Sequence, residues 1–282
     1  MNFYVDEIYF YFIYFLLTFA INLDHGKSYE DIMLGINSGF TSIMVDRSSL
    51  SYEDNIAQTK ETVKMCRPLN ISVEAELGHV GQGEDYSSDG SDHFTKPEEA
   101  KKFVEETGID CLAVAIGTAH GRYHGTPHID FDLLKQITNV VDIPLVLHGG
   151  SGTGDENLRK AVKNGIQKVN LATELVVAGK EELETFIQDK NFDKWQLIPS
   201  FIKGYSDRLE HYVKLFDQEN RAWKEDFIMI RFHDACGTTG KTVAARLLPG
   251  TDLIEGIEEV CKKMILNMLT LPVLEVSKNV VI

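Results

Sequence analysis

Three histidines in this 282-residue chain each precede a glycine: Asp24-His25-Gly26, Ala119-His120-Gly121 and Leu147-His148-Gly149. They lie far apart in sequence, each at the end of, or just beyond, a short apolar run. Three neutral imidazoles around one Zn²⁺ leave a fourth coordination position open, which is the arrangement of a catalytic rather than a structural site. The adjoining glycines lack a Cβ and let backbone and ligand come close to such an ion. Asp24 stands beside His25, and the other runs lead to Asp46, Glu76 and Asn170. Each of these side chains can bind metal, move a proton or hold phosphate. The other six histidines (His79, His93, His124, His128, His211 and His233) read as ordinary core or surface residues.

A second feature follows the third histidine. His148-Gly149-Gly150-Ser151-Gly152-Thr153-Gly154 runs into a helix that should begin at Asp155. A glycine-rich turn before a helix offers unpaired backbone N–H groups, and these suit an anion. The next strand ends at Asn170, and Ala172-Thr173 should start the helix after it. Barrels often bind phosphate between their last two βα loops, and these are the two loops concerned.

The elements that must position these residues recur with a regular rhythm. Apolar runs at Leu17–Leu23, Ser42–Val45, Ile71–Leu77, Cys111–Ile116, Ile143–Leu147 and Ile166–Leu171 read as strands. Helical patterns lie between them, near Ser28–Ser38, Tyr52–Cys66, Lys96–Thr107, Asp130–Asn139 and Asp155–Asn164, with a further one from about Ala172. Thr95, Pro97 and Glu98 suggest an N-cap, a first-turn proline and a following acid. Gly39, Gly108 and Gly165 read as helix stops. Strands buried on both faces and separated by helices imply a parallel sheet with right-handed crossovers. Both a barrel and an open doubly wound sheet fit that pattern. In a barrel the carboxyl ends of all strands converge on one face, whereas an open sheet uses only its switch point. Six runs that all lead to functional side chains therefore favour the barrel.

After about residue 178 the rhythm stops. The expected organisation is a partial barrel over residues 1–178 and a mainly helical segment over 179–282. Within the latter, 179–220 is charged and helical in character, Phe227–Phe232 suits a strand, and Leu253–Leu269 suits an apolar helix.

Bulk properties narrow the function classes. The formal net charge of -15 argues against general nucleic-acid binding, which needs a basic surface to displace counterions. Cys66, Cys111, Cys236 and Cys261 form no C-x-x-C pair, so they read as reduced residues of a cytoplasmic protein. The apolar run Ile8–Ile21 is shorter than the roughly 18 residues of a spanning helix. Asp6 and Glu7 replace the basic start of a signal peptide, so a buried strand or helix is expected, and no membrane partner.

As a set, the stretches INLDHG, VEAELGHVGQGED, TGIDCLAVAIGTAHGRYHGTP, IPLVLHGGSGT and GIQKVNLATEL resemble the class II fructose-bisphosphate and tagatose-bisphosphate aldolases of carbohydrate metabolism and glycolysis. They cover about residues 21 to 178. The resemblance implies a TIM (β/α)8-type barrel with a catalytic zinc held by His25, His120 and His148. It implies Asp24 as the proton donor and acceptor at the aldehyde oxygen. Gly121, Gly149, Gly150 and Ser151, together with Asn170, Leu171, Ala172 and Thr173, would hold the ketone half of the substrate and its phosphate. Asp46 and Glu76 match positions that hold a second or displaced cation, divalent or monovalent. Glu84 matches an acidic residue of the family's mobile active-site loop. The implied reaction is cleavage of a ketose 1,6-bisphosphate, fructose or tagatose, to glycerone phosphate and glyceraldehyde 3-phosphate, in a dimer or larger homo-oligomer.

The pattern departs from the family in one respect. A complete member has two further βα units before the strand that carries Asp24 and His25, and only about 16 residues precede that strand here. The barrel is expected to lack its first two βα units, which leaves open a non-catalytic metal-binding protein. A third reading comes from Ala235-Cys236-Gly237-Thr238-Thr239-Gly240-Lys241-Thr242, a relaxed P-loop pattern before Val243–Leu248, which reads as a helix. Only about 40 residues follow it, few for a nucleotide-binding sheet.

Overall fold

The computed structural model describes residues 20–81, 83, 93–121, 123, 127–219 and 221, and the backbone of 232–237 and 240–245. Alternation of strand and helix is regular through the first part. The strands are β1 (Asn22–Gly26), β2 (Ser42–Val45), β3 (Ser72–Leu77), β4 (Cys111–Val114), β5 (Leu145–Leu147) and β6 (Ile166–Val169). Between and after them run α1 (Tyr29–Asn37), α2 (Tyr52–Cys66), α3 (Pro97–Thr107), α4 (Phe131–Thr138), α5 (Asp155–Lys163), α6 (Thr173–Phe186) and α7 (Leu197–Leu215). All neighbouring strands pair in parallel, in the order β1-β2-β3-β4-β5-β6. The sheet curls into a half-barrel whose two edges are β1 and β6. This is the expected truncated (β/α) barrel.

Local sequence explains the helix boundaries. Ser28 Oγ accepts from the Asp31 N–H at 3.0 Å while Asp31 Oδ2 accepts from the Ser28 N–H at 2.9 Å, a capping box that starts α1. Ser51 caps α2 in the same position, accepting from the Asp54 N–H. Gly108 ends α3 at φ +67, where an L side chain would be strained. Thr95 does not cap α3. The cap is Lys96, and the Thr95 hydroxyl instead bridges two strands, donating to Leu77 O and accepting from the Ala115 N–H. Tertiary pairing has taken that hydroxyl from its local use.

Period-two alternation separates the two faces of the sheet. On β3, Val73, Ala75 and Leu77 join the large core between sheet and helices, with Phe103, Leu112, Leu134, Leu145 and Ile166. Glu74 and Glu76 alternate to the inner face and are only 1% exposed. The inner apolar layer is small: Met44, Ala113 and Val146, with Cys111 against it. Charged side chains therefore occupy what a closed barrel would fill with apolar layers.

The first strand lies further along than its apolar run suggests, at Asn22–Gly26, so Asp24 and His25 sit within the strand. Its ladder to β2 slips between Leu23 and Gly26, and His25 takes φ +52. A non-glycine residue there costs about 1–3 kcal/mol and is held only by its surroundings. Of the run Ile8–Ile21, only residues 20 and 21 are among those described.

The chain divides into two compact units, Met1–Ala222 and Trp223–Ile282. In the first, α6 continues across residue 178 and packs against α7. In the second, β7 (Phe232–Gly237) pairs antiparallel with β8 (Gly240–Ala245), from Phe232↔Ala245 to Gly237↔Gly240. This corrects the P-loop reading. That motif needs a strand, a loop and then a helix, but Val243, Ala244 and Ala245 form a strand. The β-branched Thr242-Val243 pair suits a hairpin arm better than a helix start. Residues 227–231, 246–248 and the expected helix over 253–269 lie outside the described residues. Among the described residues no helix is long and apolar enough to cross a membrane.

Candidate metal centre

Three separate βα junctions deliver His25, His120 and His148 to one place. The His25 ring centroid lies 4.8 Å from that of His120 and 4.7 Å from that of His148, and the last two are 5.7 Å apart. One ring nitrogen of each lies within 4.8 Å of the others. A second group, His25, Asp46 and Glu76, meets the same limit and shares His25 with the first.

Each imidazole is held by a different device. His25 Nδ1 is 2.8 Å from Asp46 Oδ2, and Ser48 Oγ donates to the other oxygen of that carboxylate at 2.7 Å. His25 Nε2 is buried with no hydrogen-bond partner among the described residues. His148 is fully buried, and its Nε2 lies 2.8 Å from Glu74 Oε1. His120 is fixed through its backbone: its N–H donates to Gly81 O at 2.8 Å, and its carbonyl accepts from the Gly83 N–H at 2.7 Å. The loop after β3 thus orients the histidine carried by the loop after β4. Tyr123 ties that loop to the next, its hydroxyl accepting from the Ala119 N–H at 2.6 Å and donating to Gly149 O at 3.0 Å.

The electrostatics follow from this packing. Burial holds the His120 imidazole down to about 4, and the adjacent His25 and His148 add to the effect. Its lone pair stays available at neutral pH. The hydrogen bond to the Asp46 carboxylate raises His25 above its ordinary value, against the opposing effect of burial. Burial pushes the Asp46 carboxyl up, but His25 and Ser48 outweigh it, so Asp46 sits below the usual carboxylate range. Glu76 goes the other way: burial raises it, and the N–H of Val80 offsets only part of that. Glu76 Oε2 is buried without a hydrogen-bond partner among the described residues. Two orphaned buried atoms, His25 Nε2 and Glu76 Oε2, belong to residues of the two donor groups. A cation would satisfy both, so the residues present fit a metal.

Asp24 is the accessible member of the site, with its side chain 56% exposed. Its Oδ1 accepts from Asn170 Nδ2 at 3.1 Å and lies 3.9 Å from both His25 Nε2 and His148 Nδ1. The proposed phosphate loops are laced together. Ser151 Oγ accepts from the N–H groups of Ala172 and Glu174, at 3.3 Å each, and the Gly150 N–H donates to Asn170 O. Ala172, the N-cap of α6, contributes no side-chain cap. Leu171, Thr173 and Gly121 flank the same junctions, while Glu84 lies outside the described residues.

Sequence reasoning missed Glu74, Tyr123 and Ser48. The signal for Glu74 was present: two residues before Glu76 on a strand, it must share that residue's face. Lys168, on β6, forms an ion pair with Glu74.

Comparison with known proteins bears directly on this arrangement. Residues 16–221 match the family model described as fructose-bisphosphate aldolase class-II. The solved structure of the YdjI aldolase from Escherichia coli K12 is 37% identical, with a TM-score of 0.63, over 72% of this chain and 70% of that one. A Coccidioides immitis protein assigned as a fructose-1,6-bisphosphate aldolase is 32% identical, with a TM-score of 0.62, over 72% of each chain. A fructose-bisphosphate aldolase from Campylobacter jejuni is 21% identical, with a TM-score of 0.57 over 70% of this chain and 69% of its own, and speaks for the fold alone.

Proposed function

This chain belongs to the class II fructose-bisphosphate aldolase family, and from that premise we propose that it is a zinc-dependent aldehyde-lyase acting on a ketose 1,6-bisphosphate. The observation that carries the reading is the meeting of His25, His120 and His148, with an unpartnered, buried His25 Nε2 among them. These three imidazoles would hold the zinc, leaving a position for substrate. Bound there, the ion supplies Lewis-acid stabilisation of the negative charge left on the ketone half when the carbon–carbon bond breaks.

The chain's own residues do the rest. Asp24 is exposed and hydrogen-bonded to Asn170, and it adjoins the ligand His25. Its carboxylate takes the proton of the substrate hydroxyl as that carbon becomes the aldehyde, and returns it in the condensation direction. Glu84, which matches the acidic residue of the family's mobile loop, would be the second catalytic residue. Gly121, Gly149, Gly150 and Ser151 would line the ketone half, and Asn170, Leu171, Ala172 and Thr173 would hold its phosphate. Asp46 and Glu76 would hold a second cation together with His25, in keeping with the orphaned Glu76 Oε2. Fructose and tagatose bisphosphate differ at one hydroxyl, and both belong to the reading. A homo-oligomer belongs to it as well, since Ile198, Ile202 and Leu209 stand exposed on α7.

The test is a cleavage assay on the purified chain and on His120→Ala, each with and without a chelator. Chelator-sensitive cleavage that is lost in His120→Ala supports the proposal, and chelator-insensitive cleavage sinks it. One observation favours a second reading, a metal-binding protein without turnover: among the described residues the sheet is open, with β1 and β6 as its edge strands. Zinc bound with no cleavage of either bisphosphate would select it.

A further inference from the structure

A buried carboxylate on the inner face of the sheet touches one of the three histidines. Glu74, on β3, is 1% exposed, and its two carboxylate oxygens go to different partners. Oε1 lies 2.8 Å from His148 Nε2, beyond the end of β5, and Oε2 pairs with Lys168 Nζ, on β6. To reach both, the carboxylate must cross the inner face of β4. The inner residues of that strand are Cys111 and Ala113, both small, and Cys111 Sγ approaches Glu74 Oε2 at 3.6 Å. A larger residue at either place would block the path.

We infer that Glu74, anchored by Lys168, is the positioning residue of His148: it fixes the Nε2–H tautomer and turns Nδ1 towards the point where the three imidazoles meet. An ionised carboxylate only accepts hydrogen bonds, so the nitrogen facing it must carry the proton. In a neutral ring the other nitrogen then holds the lone pair. On the metal reading above, on which this inference rests, Nδ1 is the ligand atom. A ligating histidine ordinarily gives its second N–H to a carboxylate, which fixes ring orientation and raises ligand basicity. Burying an unpaired carboxylate is costly, and the Lys168 ammonium is what lets Glu74 stay ionised in that place. Lys168 thereby acts on the metal site through two intermediaries without touching it.

The experiment uses the full chain and two readouts besides activity. In the metal-free protein, ¹H–¹⁵N spectra of labelled histidine, assigned with His148→Asn, should show a downfield, slowly exchanging Nε2–H for His148. Co²⁺ affinity, measured by competition with a chromophoric chelator, should fall about 10–100-fold in Glu74→Ala. In Glu74→Gln, whose amide oxygen still accepts, the loss should be smaller, and Lys168→Met should weaken binding in the same direction. Circular dichroism establishes that each variant is folded. Folded Glu74→Ala that binds Co²⁺ as tightly as the unaltered chain overturns the inference. So does a His148 ring protonated at Nδ1 in the unaltered chain, a result that needs no variant to fold. Negligible Co²⁺ affinity in the unaltered chain sinks the metal reading instead, and the Nε2–H signal then decides the role of Glu74 alone.

Discussion

Asp46 Oδ2 approaches His25 Nδ1 to 2.8 Å while the opposite nitrogen of the same ring is buried without a hydrogen-bond partner among the described residues. The carboxylate fixes one end of the imidazole so that the other end faces the site. Replacing Asp46 with alanine should free the ring and lower metal affinity about 10–100-fold. Isothermal titration with Zn²⁺ against a competing chelator measures it. Unchanged affinity would mean that packing alone orients His25.

Asp24 should behave differently, because it is exposed and its hydrogen bond runs to Asn170 rather than to a ligand ring. Asp24→Asn keeps the shape and loses the proton acceptor. Its kcat for cleavage should fall about 10²–10⁴-fold, the usual worth of a positioned general base. Metal affinity should stay close to that of the unaltered chain. Steady-state kinetics together with metal titration separate the two effects, and a large loss of affinity with intact turnover would reverse the assignment.

The contrast between these residues shows what the sequence makes legible and what it hides. Strand ends are legible because apolar runs stop where polar chemistry begins, so His25, His120, His148, Asp46 and Glu76 were all visible as candidates. Their meeting follows once the strands are parallel, since parallel strands share one carboxyl end. Hidden were contacts made across several strands, such as Glu74 to His148 and Lys168. No local pattern reports which of two acids on one face finds a partner. The Thr95 hydroxyl was misread for a related reason: a local capping pattern was overruled by a longer-range bridge between β3 and β4. The hairpin of β7 and β8 defeated a short motif in the same way, through pairing that eight residues in isolation do not disclose.

In the metal-free protein, His120 should make stability depend on pH. Its folded value is held down to about 4, mainly by burial, against about 6.5 for an unfolded histidine. Between those values the unfolded chain takes up a proton that the folded chain refuses. Stability therefore rises with pH across that window and is lost as the pH falls through it. His120→Asn removes this contribution, so its Tm should decline less steeply from pH 6.5 to 4 than that of the unaltered chain. Parallel declines would show that His120 titrates normally in the folded state.

Gly149 and Gly121 make a controlled pair for backbone strain beside the site. Both have positive φ, +67 and +82, so an alanine at either place is conformationally strained. Only Gly149 is also enclosed. A Cβ there would meet Ala119 O at 2.3 Å and the Ala119 carbonyl carbon at 2.6 Å, whereas at Gly121 nothing among the described residues lies within 4 Å. Backbone atoms cannot step aside as a flexible side chain can. Gly149→Ala must therefore push the His148 loop away from the residue that precedes His120. The strain at Gly121→Ala alone should cost about 1–3 kcal/mol, which for a unit of this size lowers Tm by roughly 2–4 °C per kcal/mol. Gly149→Ala should lose clearly more stability and also bind Zn²⁺ more weakly, because two of the three imidazoles move apart. Thermal melts with metal titrations on both variants test this. Equal losses at the two glycines, with metal binding intact, would mean that the contact between the loops does not set the spacing of His120 and His148.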